Sequence, residues 1–77
     1  MSLTYRDRIL NILSKEEQKG KQPLFTRSLA EKHFKNVEDI HGTIMRTARY
    51  MAKDNLLKRI SPGQFKLTAK GRKAVNA

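Results

Sequence analysis

Between Asn36 and Asn55 the chain reads N-V-E-D-I-H-G-T-I-M-R-T-A-R-Y-M-A-K-D-N. At 100° per residue with Ile44 at zero, Val37, Ile40, Ala48 and Met51 fall within about 40° of it. That spacing predicts a helix over 36–55 with one apolar stripe. The opposite arc holds Asp39, Gly42, Thr43, Arg46, Arg49, Tyr50 and Lys53. Asn36 is a good N-cap, Glu38 and Asp39 suit the first turn, and Asn55 tolerates the left-handed backbone that ends helices.

The segments before it give two shorter helices. Tyr5, Ile9, Ile12 and Leu13 recur at helical spacing, so the first helix is expected from Tyr5 to Lys19, capped by Thr4 and stopped at Gly20. Lys21 to Phe25 reads as a linker, because Pro23 forbids helix; its end, Leu24-Phe25, can pair as a short edge strand. Thr26 then caps a second helix, Arg27 to Phe34, with Ser28 and Glu31 offering an alternative start. Leu29, Ala30, His33 and Phe34 can face the core. After Asn55 the period changes to two. Leu56 to Ile60 and Phe65 to Leu67 alternate around Ser61-Pro62-Gly63-Gln64, which fits a type II turn with Pro at its second and Gly at its third position. The prediction is a β-hairpin over 56–68, then a short helix from Ala69 to Val75 capped by Thr68.

Composition changes this picture less than charge does. A chain of 77 residues has room for a single domain, 1–77. It has no cysteine, and its two histidines, His33 and His41, lie in no metal-ligand pattern, so neither a metal nor a cofactor is expected. No apolar run is long enough for a membrane span and no signal core precedes Tyr5, so a cytoplasmic location is expected. The formal net charge is +10. Residues 1–40 hold eight Lys/Arg against six Asp/Glu, whereas residues 41–77 hold nine against Asp54 alone. So uneven an excess implies an anionic polymer as partner. No Gly-rich phosphate loop, nucleophile–base set or paired carboxylate is visible, and an enzyme is the least expected class.

Three motifs carry a resemblance. Gly42-Thr43-Ile44-Met45-Arg46 resembles the S-T-V-S-R segment of recognition helices in winged-helix repressors. Asn55-Leu56-Leu57-Lys58-Arg59 resembles the G-L-I-E-R that starts the wing. Gly63 to Ala74 is similar to G-x-Y-x-L-T-x-K-G-R-x-A, which closes the wing in MarR/PadR-type regulators. The resemblance covers nearly the whole chain and implies an α+β fold: a winged helix-turn-helix with a three-helix core, a C-terminal hairpin wing and a short final helix. Between Leu29-Ala30 and Thr43 the chain has about one turn more than that pattern. Either the recognition helix starts early or the preceding turn is longer. Small-subunit ribosomal winged helices share the L-T-x-x-G close and the basic charge, and they bind structured RNA.

The expected function is sequence-specific binding of double-stranded DNA by a transcriptional regulator. The major groove, about 12 Å wide, admits one helix. Arg46 and Arg49 could each fork onto guanine, with a solvated face as the plain alternative. Thr43 and Lys53 would hold phosphate, and Tyr50 would donate to phosphate or pack on the wing. Gly42 would give clearance in the groove or serve a tight helix contact. Lys58, Arg59 and Lys66 would flank the wing tip, and Arg27 and Ser28 would reach phosphate from the start of the second helix. Structured RNA is the alternative partner. An acidic protein surface met by Tyr50, Met45 and the recognition face is another. Homodimerisation through the first or last helix is compatible with so small a module.

Overall fold

Thr4 accepts a hydrogen bond from the Asp7 amide (3.2 Å) and starts α1, Tyr5–Gln18. The chain is described by a computed structural model over residues 4–20 and 23–75; Lys21 and Gln22, the start of the expected linker, lie outside the described residues. Gly20 (φ 81°) supplies the left-handed residue that ends α1, its amide donating to the Glu17 carbonyl. β1 is Leu24–Phe25, and α2 is Arg27–His33, started by the Thr26 hydroxyl on the Leu29 amide (3.3 Å). The hairpin follows as β2, Leu57–Ser61, and β3, Gln64–Leu67, and α4 is Ala69–Val75. The sheet is antiparallel in the order β1-β3-β2. Among the described residues the chain is therefore a small α+β fold of helices and a three-stranded antiparallel sheet.

The third helix departs from its predicted start. A π-helical turn, His41–Met45, runs directly into α3, Arg46–Lys53. Asn36 is not the cap. Asp39 is: its carbonyl accepts from the Thr43 amide (3.0 Å) and its carboxylate from the Gly42 amide (2.9 Å). The extra turn of sequence therefore lengthens the connection between helices. With Phe34 buried at the end of α2, a helix starting at Asn36 would leave too few residues to redirect the chain. Residues 35–39 instead let Val37 pack on the core before Asp39 caps. The far end is as expected. Asn55 takes φ 64°, the Asn55 amide donates to the Ala52 carbonyl and the Leu56 amide to the Met51 carbonyl (2.9 Å), the paired bonds of a Schellman ending.

The core joins all these elements. Ile9, Leu13, Phe25, Ala30, Ile44, Ala48 and Met51 have no exposed surface, with Phe34, Leu57, Phe65 and Leu67 close behind. Each fully buried Leu, Ile or Phe contributes on the order of 1.5–3 kcal/mol. Five side chains sit elsewhere than the pattern suggested. Leu10 is buried, whereas Tyr5 is exposed and meets the Phe34 ring edge-on at 5.8 Å. His33 is exposed rather than in the core, and its carbonyl accepts from Arg8 (3.3 Å). Met45, in the π turn that packs beside α2, is buried; it is absent from the surface an acidic partner could meet. Ile60 is exposed where a ladder irregularity between Arg59 and Ser61 releases it. Gly63 (φ 76°) makes the predicted turn.

Candidate nucleic-acid interface

Burial of Ile44, Ala48 and Met51 fixes the rotation of α3, so its opposite arc must face solvent. Arg46, Tyr50 and Lys53 are exposed there, and Thr43 and Arg49 are half-buried. The Lys53 ammonium lies 5.6 Å from the centre of the Tyr50 ring, within cation–π range. The Thr43 carbonyl accepts from the Thr47 hydroxyl (2.8 Å). Tyr50 leans to the α1 side of the arc, where it borders a shallow depression with Thr4, Tyr5 and Thr47. The ion pair of Arg6 and Asp54 closes the rim of that depression.

Gly42 has a different neighbour from either expected one. A Cβ there would meet the Asp39 carboxylate, at 2.8 Å from its Cγ. The glycine clears space for the cap of its own helix. The Asp39 charge, on the otherwise basic arc, is thereby turned towards the helix amides, where the dipole favours an anion.

The hairpin divides its three cations. Leu57 pairs with Leu67, Lys58 with Lys66, and Arg59 with Phe65. Side chains alternate across a sheet, so Arg59 lies on the side that faces the helices, at the solvent edge, and Lys58 and Lys66 lie on the other. Lys66 also stands opposite Leu24 of β1. The residues expected to act together thus form an α3 arc with Arg59 nearby in the fold order, and a separate lysine pair across the sheet. Arg27 and Ser28, at the start of α2, are exposed; Arg27 is held by Glu31 (3.1 Å).

Ion pairing separates the cations by place. Arg6 pairs with Asp54, Lys19 with Glu16, Arg27 with Glu31, and Arg72 with Glu17. Among the described residues, Arg46, Arg49, Lys53, Lys58, Arg59 and Lys66 meet no carboxylate within ion-pair distance. Arg6–Asp54 and Arg72–Glu17 join separate elements, Lys19–Glu16 and Arg27–Glu31 are local to one helix, and among the described residues the cations of α3 and the hairpin have no such partner. The sequence places Asp39 on the arc but in the first turn rather than at the cap, and it does not single out Arg6 and Thr47 at the arc's borders. Only Asp39 had a local signal, a capping residue three positions before a helical amide.

Among the described residues no three His, Asp or Glu side chains converge as a metal site, and no helix is long and apolar enough to cross a membrane. No family model, curated protein or solved structure matches this chain.

Proposed function

We propose that this chain is a winged helix-turn-helix domain that binds double-stranded DNA with sequence preference and acts as a transcriptional regulator. The observation that carries the reading is the run of cations without carboxylate partners along the solvent arc of α3. Unpaired guanidinium groups on a helix of groove-matching diameter are suited to guanine edges and phosphate. Three helices followed by an antiparallel hairpin, with the third helix capped at Asp39, are compatible with the winged layout. In this reading Arg46 and Arg49 read bases. Thr43, Tyr50, Lys53 and Arg59 hold phosphate, and the Pro62-Gly63 tip lies along the backbone. Gly42 and the capped Asp39 keep the entering turn narrow and its acid occupied.

The test is a titration of duplex DNA selected from a random pool, followed by fluorescence anisotropy. Arg46→Ala with Arg49→Ala should cost about 1–3 kcal/mol per lost bidentate contact and flatten the preference among sequences. A domain with roughly six to ten phosphate contacts should lose about 10³–10⁵ in affinity between 50 and 200 mM salt. Absence of duplex binding at low salt would overturn the reading. Tighter binding to structured RNA than to duplex at equal salt would replace its partner.

A further inference from the structure

The face of the sheet that carries Lys58 and Lys66 is not explained by a role in reading DNA. Across it run Leu24 of β1, Lys66 of β3 and Lys58 of β2, in register. Ile60 follows Lys58 along β2. Leu24 and Ile60 are 36% and 46% exposed, and together with Pro23 and Ala69 they line one groove between the sheet and α4. Glu17 and Arg72 form the groove's far wall, but they are spent on each other: the Arg72 guanidinium donates to both carboxylate oxygens at 2.7–3.0 Å. The face thus combines an aliphatic floor, a self-neutralised wall and two lysines with no counter-charge among the described residues.

Lys58 and Lys66 are directly opposed partners of an antiparallel ladder. Like charges in that position are destabilising. An anion seated between them removes the conflict. Nucleic acid would supply the anion but would leave Leu24 and Ile60 without partners. A polypeptide with carboxylates and aliphatic side chains satisfies both parts of the face. We propose that this outer sheet face is a docking surface for an acidic peptide segment bearing aliphatic side chains, used while α3 is engaged elsewhere. Carboxylates would bridge Lys58 and Lys66, and an aliphatic side chain would lie on Ile60 and Leu24.

The test uses the full chain, isotope-labelled for amide NMR, and a synthetic acidic peptide of about 12 residues carrying three leucines. A control peptide replaces each leucine by serine. The leucine peptide should shift amides of Leu24, Ile60 and Lys66 and leave Arg46 to Lys53 unmoved. The serine peptide should bind about tenfold more weakly or worse. Lys58→Glu with Lys66→Glu should weaken the leucine peptide at least about tenfold. So should Ile60→Gln, which leaves the charges in place; amide spectra of the free variants check that each is folded. Selected duplex DNA should bind the lysine variant within about twofold of the parent, and peptide and duplex should bind together. Peptide shifts centred on α3, equal binding of both peptides, competition between peptide and duplex, or duplex-induced shifts on Lys58 and Lys66 would each overturn the proposal. Failure of duplex binding alone would remove the DNA reading and leave this one intact.

Discussion

At Gly42 the missing side chain protects a cap rather than a groove. Asp39→Ala should cost about 1 kcal/mol, the worth of an N-cap. Gly42→Ala gains about 1 kcal/mol of helix propensity but displaces the Asp39 carboxylate, so its net effect should be near zero. In an Asp39→Ala background the same change should stabilise by about 1 kcal/mol. A double-mutant cycle in urea measures this coupling, and additive effects would disprove it. Gly71 is the opposite case. A Cβ there would run into the Leu56 carbonyl oxygen and approach Leu67 Cδ1 at 2.8 Å. Backbone cannot yield as an exposed carboxylate can, so Gly71→Ala should destabilise by about 1–3 kcal/mol despite alanine's better propensity. On the scale of small domains that is a fall in Tm of roughly 4–8 °C per kcal/mol. At Asn55, where φ is 64°, Asn55→Gly should stabilise slightly and Asn55→Ala should cost about 1 kcal/mol; thermal melts of the pair decide.

Elements are joined at two places that the local pattern does not announce. The Thr68 hydroxyl accepts from the Gly71 amide (3.0 Å) and lies 2.6 Å from the Asn55 carbonyl and 3.0 Å from that of Leu56. One hydroxyl therefore caps α4 and ties it to the chain leaving α3. Lys70 adds a bond to the Asp54 carbonyl (3.0 Å). Thr68→Val should cost about 1–2 kcal/mol, the sum of a cap and a second bond, read as a lowered urea midpoint. The other joint is the bidentate pair of Arg72 and Glu17, which locks α4 to the end of α1. The Arg72 guanidinium, hydrogen-bonded to Glu17, holds its carboxyl below the ordinary value of 4.5; slight desolvation opposes this and charge attraction adds to it. A lowered carboxylate contributes its stability above its unfolded value and loses it as pH falls through the lowered one. The advantage of the parent over Glu17→Gln should therefore be present at pH 7 and fade below about pH 4. Urea midpoints at pH 7 and pH 3 measure it; an advantage undiminished at the lower pH would assign the contact to packing.

For the whole molecule, the decisive property is where charge goes unpaired. Glu17 and Asp54 neutralise cations at contacts between elements, Glu16 and Glu31 do so within their own helices, and part of the net charge of +10 is expressed on α3 and the hairpin. Two candidate faces result, the arc of α3 and the sheet face of Lys58 and Lys66. Reversing one should leave the other's partner in place. Arg46→Glu should abolish duplex binding at about 100 mM salt, whereas Lys66→Glu should change it by no more than about twofold. Equal losses would mean that the lysine face also touches DNA.

Some of this was readable from the chain because it is local. Thr4, Thr26 and Thr68 are capping residues ahead of apolar-periodic segments, and Asn55 and Pro62-Gly63 mark reversals that few other residues tolerate. Elements, their order, the hairpin turn and the solvent arc of α3 follow from such signals and from periodicity. The α3 start does not. Asn36 and Asp39 are both competent caps, and burial of Phe34 and Val37 chose between them. The role of Gly42, the burial of Met45 and the exposure of His33 likewise depend on the π turn and on what packs beside it. The sharpest difference concerns the candidate site. Lys58, Arg59 and Lys66 are all expected to flank the wing tip, and alternation sets Lys58 and Arg59 on opposite faces without saying which one Lys66 joins. Register through β3 put Arg59 on the helix side and both lysines on the other. A sequence determines which residues can be outward; only the pairing of strands and the packing of helices decide which outward residues share a face.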